Sequence, residues 1–311
     1  QLSGDFGYQF NHREEWSAFH THYDTQMMPA KDPDRELVFK LHTFSSSLKL
    51  RLSSSSSWEH MAGWNMQIQK NAIGGYSFLL PEYKRFTTGA FWLTTFRLDN
   101  QLSVTGGIRY DRGRIDIAAF EDPYLVEYLH RQGYEEEVIQ AYRWRSYPVD
   151  RAYGNYSCSA GVVWTPAAGH LLKMNVGRSF RLPGVNELAS NGVHHGTFRH
   201  EKGDATLSSE QGWQIDASYT LAYKKMELVV SSFASWFDNY IYLRPMGEWS
   251  VLPHAGQIYQ YSGARALFMG GEINFNMDFL RHFNYRLVGE YVYTYNRDEH
   301  TALSFSPPVS M

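Results

Sequence analysis

The sequence predicts an all-β protein, a transmembrane antiparallel β-barrel, on three observations. Apolar and polar residues alternate with period two over stretches of a dozen residues or more. The connections between these stretches are alternately short and long. Aromatic residues make up 16% of the chain, with 22 Tyr and 19 Phe foremost. Rings with an apolar body and a polar tip settle where a greasy phase meets water. Long strands with one apolar and one polar face suit a wall with lipid on one side and water on the other.

Strands are expected near 3–16, 35–51, 57–70, 85–98, 101–118, 151–165, 170–182, 208–223, 225–243, 257–277 and 284–298. In the first, Phe6, Tyr8 and Phe10 alternate with Gly7, Gln9 and Asn11. In the fifth, Leu102, Val104, Ile108 and Tyr110 oppose Ser103, Thr105, Arg109 and Asp111. The eighth is the clearest: Trp213, Ile215, Ala217, Tyr219, Leu221 and Tyr223 share one face, and Gln214, Asp216, Ser218 and Thr220 the other. Residues 226–237 alternate less cleanly and leave their faces unassigned. The eleventh sets Tyr285, Leu287, Tyr291, Tyr293 and Tyr295 against Arg286, Glu290 and Thr294. Trp213, Tyr223, Tyr285 and Tyr295 are expected to anchor the membrane interfaces.

Short turns fall at Asp99-Asn100, Ala167-Ala168-Gly169 and Tyr223-Lys224-Lys225, and residues 53–57 form a polar serine turn. Long connections fall at 17–34, 71–84, 119–150, 183–207 and 244–256. Short turns on one side and long loops on the other are the pattern of bacterial outer-membrane barrels, whose long loops face outward. Residues 124–132 and 134–144 place Leu125, Leu129, Val138 and Tyr142 at helical spacing, with Glu135, Glu136 and Glu137 where a helix dipole favours acids. Eleven strands and the start of another at Ala302 do not make the even number such barrels use. The chain therefore reads as a partial barrel domain over 1–311.

Composition narrows function. A net charge of -3 gives no footprint for nucleic acid. The single cysteine, Cys158, excludes an internal disulfide. No run of about 18 apolar residues marks a transmembrane helix. No nucleophile elbow, phosphate loop or zinc-hydrolase motif occurs, so no enzyme is expected.

Two segments carry a family resemblance. Gly177-Arg178-Ser179-Phe180-Arg181-Leu182-Pro183, followed by Asn186-Glu187-Leu188, resembles the "G-R-x-F-R-x-P-x-x-x-E-L" segment of TonB-dependent receptors. It continues through Ser190-Asn191-Gly192-Val193-His194-His195-Gly196-Thr197, Glu201, Gly203-Asp204, Leu207 and Glu210. The run Trp236-Phe237-Asp238-Asn239-Tyr240-Ile241 is similar to the "F-x-N-Y-I" strand end of the same receptors. The "SNGxH" variant looks most like the branch that takes up haem, zinc and siderophores. The resemblance implies a 22-stranded barrel of which this chain would supply about 11–12 strands, with the plug domain and the C-terminal strands absent. It implies active uptake powered by TonB acting through that plug, in the bacterial outer membrane, with membrane lipids and a metal-complex cargo as partners. No cofactor is required; a bound metal ion or haem would be cargo. A passive porin, or a secreted β-rich adhesin or glycan-binding protein, is the alternative.

Two histidine groups are candidate capture sites. His20, His22 and Asp24 form a candidate metal set, since His20 and His22 share a face in an extended segment. His194, His195, His200, Glu187 and Asn191 form a candidate ligand set in a long outer loop. The alternative reading is a hydrated polar loop in which these histidines are incidental. His12 is expected inward or near the rim. Arg109, Asp111, Arg178 and Arg181 are expected to face the lumen and pair across strands or with the plug.

Overall fold

Alternation places a strand's side chains on opposite faces, so each long stretch needs one apolar and one polar neighbourhood. A computed structural model, which describes residues 1–21, 23–194, 197–253, 255–279 and 282–303, shows how both are met. Eleven long strands form one antiparallel sheet. They are β1 (Leu2–Trp16), β2 (Arg35–Ser53), β3 (Trp58–Gly74), β4 (Tyr83–Arg97), β5 (Leu102–Ile117), β8 (Val149–Trp164), β9 (His170–Arg181), β12 (Glu210–Tyr223), β13 (Met226–Trp249), β14 (Gln257–Phe279) and β15 (Phe283–Asn296). Each pairs with the next in that order. The short elements all lie in the long loops. One loop holds β6 (Phe120–Glu121), α1 (Pro123–Arg131), α2 (Glu136–Tyr142) and β7 (Trp144–Ser146); another holds α3 (Val185–Ala189), β10 (Asn191–His194) and β11 (Arg199–Lys202).

All eleven expected strands are present. Several run further than alternation indicated: β3 reaches Gly74 and β13 reaches Trp249. Their last residues leave the two-phase environment, so alternation fades there while backbone pairing continues.

Register assigns the faces. Trp213, Trp236, Leu267 and Tyr295 lie side by side across β12 to β15. Ten residues further along each strand, Tyr223, Met226, Met277 and Tyr285 form a second row. Ten residues span about 33 Å of strand, or about 25 Å in height at a tilt near 40°, the height of a barrel's apolar band. The expected anchors thus occupy two parallel rows, Trp213 and Tyr295 on the loop side, Tyr223 and Tyr285 on the turn side. The same register resolves β13: Met226, Leu228, Val230, Ala234 and Trp236 face the apolar side, and Ser231, Phe233 and Ser235 the polar side.

The polar face is the inner one. A groove of about 540 Å³ is lined together by Thr105, Lys173, Asp216, Ser231, Glu272 and Glu290, from strands as distant in order as β5 and β15. A flat sheet could not gather these residues around one space, so the sheet curls with its polar side within.

Near the loops the alternation inverts. Ile115, Ile117 and Val149 face inward and are buried, while Arg112, Arg114, Asp116 and Asp150 face outward and are exposed. The inward residues pack with Leu188, Ala189, Leu207 and Ile241. The loop carrying α3 has folded into the mouth and supplies their apolar partners.

Candidate functional site

The segment after β9 turns into the mouth because an ionic knot holds it. Arg181 extends one guanidinium nitrogen to Glu187 at 2.8 Å and another to Glu210 at 3.1 Å. Glu187 also accepts the Gly184 backbone N–H at 2.6 Å, capping the start of α3. Glu210 accepts the Ile241 N–H at 3.0 Å. One arginine thereby ties β9, the loop, β12 and β13 together. A register shift between Phe237 and Tyr240 marks a bulge in β13. There Asn239 donates to the Ser208 and Ser209 carbonyls at 3.1 and 3.0 Å, fixing where the loop rejoins the wall.

Beyond α3, the β10–β11 hairpin lies along β14 in parallel, from His200 opposite Ile258 to Lys202 opposite Gln260. These β14 residues lie past the end of β15, whose Asn296 pairs with Ala266, so the hairpin takes an edge that would otherwise be open. Asn191 donates to the Trp144 carbonyl at 2.6 Å and the Ala141 carbonyl at 3.1 Å. With its amide nitrogen so engaged, its Oδ1 faces His200 Nε2 at 2.9 Å, and His200 Nε2 is the donor. Nδ1 then accepts from the Ser250 hydroxyl at 2.8 Å. Burial, with help from the Lys202 and Arg145 charges, pushes the His200 imidazole down to about 3.

These contacts revise the loop cluster. Glu187, Asn191 and His200, expected to meet a ligand, all bond to the protein; Asn191 also lines a small cavity of about 200 Å³, while His200 is 0% exposed with both ring nitrogens engaged. His194 ends β10, paired with Arg199; His195 lies outside the described residues. In the first loop, His20 Nδ1 lies 3.2 Å from the Ala18 carbonyl and 3.3 Å from the Tyr76 hydroxyl. Asp24 is exposed in a turn, and His22 lies outside the described residues. Among the described residues no three His, Cys, Asp or Glu converge as a metal site.

Of the arginines, Arg109 faces inward, bonded to Asp111 Oδ2 at 2.6 Å and to Asn65 Oδ1 at 2.5 Å. Arg181 is inward with Glu210. Arg178 is not. It sits in register with Trp213 and Cys158 on the apolar face, its guanidinium 4.0 Å over the Tyr156 ring and bonded to the Tyr156 carbonyl and Gln211. Arg178 and Arg181 are three residues apart, and an odd spacing in a strand separates faces. His12 likewise lies on the outward face, opposite Lys40, with Glu14 at 3.1 Å.

The loops enclose a second cavity, of about 480 Å³, that sequence reasoning missed. Tyr23, Met28, Tyr76, Phe78, Tyr124 and Arg145 line it. Arg145 is 5% exposed. One guanidinium nitrogen reaches the Tyr23 hydroxyl at 3.1 Å and lies 3.7 Å from Asp122, and the guanidinium carbon lies over the Phe78 ring, 5.7 Å from its centroid. Its Nε has no hydrogen-bond partner among the described residues. Asp122 also caps α1 through its other oxygen, so its charge is shared with the helix start. Burial pushes the Tyr23 phenol up, which keeps it neutral. In sequence Arg145 is only the second arginine of Arg143-Trp144-Arg145, just after α2.

With this geometry in place, comparison settles kinship. A sequence profile described as "TonB dependent receptor-like, beta-barrel" matches residues 1–310. The chain belongs to the TonB-dependent receptor β-barrel family. Members of this family reside in the bacterial outer membrane and are transporters, not enzymes. No curated protein sequence matches the chain. Among solved structures, a copper transporter, OprC, is similar with a TM-score of 0.67 and 16% identity, over 88% of this chain and 40% of that one. The FrpB iron transporter of Neisseria meningitidis (F5-1 variant) gives 0.61 and 14%, over 97% and 43%. The Serratia marcescens hemophore receptor HasR, solved as a double mutant with its hemophore HasA and haem, gives 0.58 and 20%, over 84% and 42%. At these identities the likeness shows the fold alone. The chain spans about two fifths of the length of these TonB-dependent receptors. In this one, both family motifs fasten the folded-in loop: Arg181, Glu187 and Glu210 tie its start, and Asn239 its return.

Proposed function

We propose that this TonB-dependent receptor barrel takes part in active uptake of a metal complex, an iron–siderophore chelate or haem, captured under the outer loops. The observation that carries the reading is the cavity around Arg145. A planar, buried cation walled by Tyr23, Tyr76, Phe78, Tyr124 and Met28 suits an organic ligand with anionic oxygens and apolar or aromatic surface. Uptake would then proceed by rearrangement of a plug driven by TonB. A second reading, a zinc or other metal ion taken first by His20, His22, Asp24, His194 and His195, rests on these donor types falling in two of the long connections of the sequence.

The test is ligand titration of the full-length receptor in detergent with ferric chelates, haem and zinc. Arg145→Leu is compared with a set in which His20, His22, His194 and His195 are each replaced by Ala. Loss of at least about tenfold in chelate or haem affinity in Arg145→Leu, with the histidine variants unchanged, is the expected result; removal of a charge-assisted bond costs that much. Loss confined to the histidine variants moves the site to the loops and the cargo to a metal ion.

A further inference from the structure

The charge balance of the cavity around Arg145 bears on which chelates it accepts. Among the described residues that line it, only two side chains are charged, Asp122 and Arg145. They face each other: one carboxylate oxygen of Asp122 lies 3.7 Å from an Arg145 guanidinium nitrogen, and both side chains are largely buried. At that distance the pair is an ion contact without a hydrogen bond. The rest of the lining is neutral. Met27, Met28, Phe78 and Phe120 are apolar, and Tyr23 and Tyr124 present phenols. Burial holds the Tyr23 phenol in its neutral form.

Local structure fixes Asp122 in place. It is the N-cap of α1, and its other oxygen accepts the Tyr124 and Leu125 backbone N–H groups at 3.2 and 3.3 Å. Turning the carboxylate away from Arg145 would break that cap. A ligand oxygen that binds Arg145 therefore also meets the Asp122 charge. The two charges offset each other, so the cavity offers a multiply charged ligand little net attraction. Taking such a ligand out of water is costly, and the cost climbs with its charge. Each negative charge on it is also repelled by Asp122. A neutral or singly negative chelate incurs little of either penalty and keeps the apolar and aromatic contact. Its peripheral oxygens still find directional partners. Arg145 offers N–H groups, and the Tyr23 hydroxyl, which accepts one bond from Arg145 at 3.1 Å, has its own proton to donate.

We propose that this cavity selects metal chelates that are neutral or carry one net negative charge, and that Asp122 is the residue that turns more highly charged ones away. The inference rests on the reading of the cavity as the capture site and narrows that reading to a charge class.

The test uses the full-length receptor in detergent and three ligands. Two are ferric chelates built on one tripodal backbone, a neutral trishydroxamate and a triply negative triscatecholate; the third is haem, with one net negative charge. Each is titrated against wild type, Asp122→Asn and Arg145→Leu. Asparagine is as good an N-cap as aspartate, so Asp122→Asn removes the charge and keeps the helix start. A far-ultraviolet spectrum and heat-modifiable gel mobility confirm that each variant is folded. Wild type should bind the trishydroxamate or haem at least about tenfold more tightly than the triscatecholate. Asp122→Asn should raise the triscatecholate affinity at least about tenfold and change the others by less than about threefold. Wild-type affinity for the triscatecholate equal to or above that for both other ligands overturns the proposal. So does an unchanged affinity ratio in Asp122→Asn while Arg145→Leu weakens binding, since the cavity would then capture cargo without sorting it by charge. If Arg145→Leu leaves every affinity unchanged, or wild type binds none of the three, the capture reading itself fails and the charge selection with it.

Discussion

His200 shows how one side chain sets the behaviour of a loop. Its imidazole is neutral in the packed loop and protonates near pH 6.5 when the loop opens, against about 3 when closed. A group whose packed-state value is depressed contributes fully above its open-state value and loses that contribution as pH falls. The closed loop should therefore weaken between pH 6.5 and about 3, by roughly 2 kcal/mol at pH 5. Hydrogen exchange of the amides in residues 190–202 would record this slope. His200→Gln, which cannot titrate, should flatten it; a slope that persists would assign the pH response elsewhere. Residue spacing alone also shows why Arg178 and Arg181 could not share a role. An odd interval in a strand places one in the wall's apolar face and the other in the knot with Glu187 and Glu210.

At the scale of the element, the family motifs act as fasteners. Arg181 at the end of β9 and Glu210 at the start of β12 mark where strand and loop meet, and Asn239, in the bulge within β13, holds the returning loop. Gly203 belongs to the same device. A Cβ there would sit 2.5 Å from the Ala189 nitrogen and 2.7 Å from the Leu188 carbonyl carbon, both backbone atoms that cannot yield. Gly203→Ala should push β11 off α3 and cost roughly 1–3 kcal/mol of loop stability. Protease cleavage confined to residues 183–207 in the variant would show it. A cleavage rate equal to wild type would mean that the hairpin can shift as a body. The helices α1 and α2 were legible because Leu125 and Leu129, and then Val138 and Tyr142, stand at helical spacing; Leu125, Leu129 and Tyr142 are buried together with Tyr23 and Val193. The packing of Tyr23 against them was not legible, since it joins loops about a hundred residues apart.

For the whole molecule, the two aromatic rows and the curl of the sheet define an outside and an inside. Ala217 lies outward, midway between Trp213 and Tyr223, and Ser218 lies inward beside Ser231. Ala217→Arg should cost roughly 2–4 kcal/mol, the toll of a cation at the bilayer midplane. Ser218→Lys should cost little. Unfolding of the full receptor in vesicles would compare the two, and equal costs would refute this assignment of faces. The inversion of alternation beyond the loop-side row, where Ile115 and Ile117 turn inward and Arg112 and Arg114 outward, marks the height at which lipid gives way to water on one side and to packed loop on the other.

The sequence by itself determined the eleven strands, the sides on which their turns and loops lie, and the resemblance that places the chain among TonB-dependent receptors. Period-two alternation and connection length are local quantities, and the contrast between lipid and water imposes them residue by residue. Only the tertiary structure decided which polar loop residues are spent on holding the loops and which line a cavity. Glu187, Asn191 and His200 are like any candidate ligands in sequence, and Arg145 like any surface arginine. What distinguishes them is which distant backbone carbonyl, ring or carboxylate folds against each, and that depends on strand register and loop closure over the mouth rather than on any neighbour in the chain.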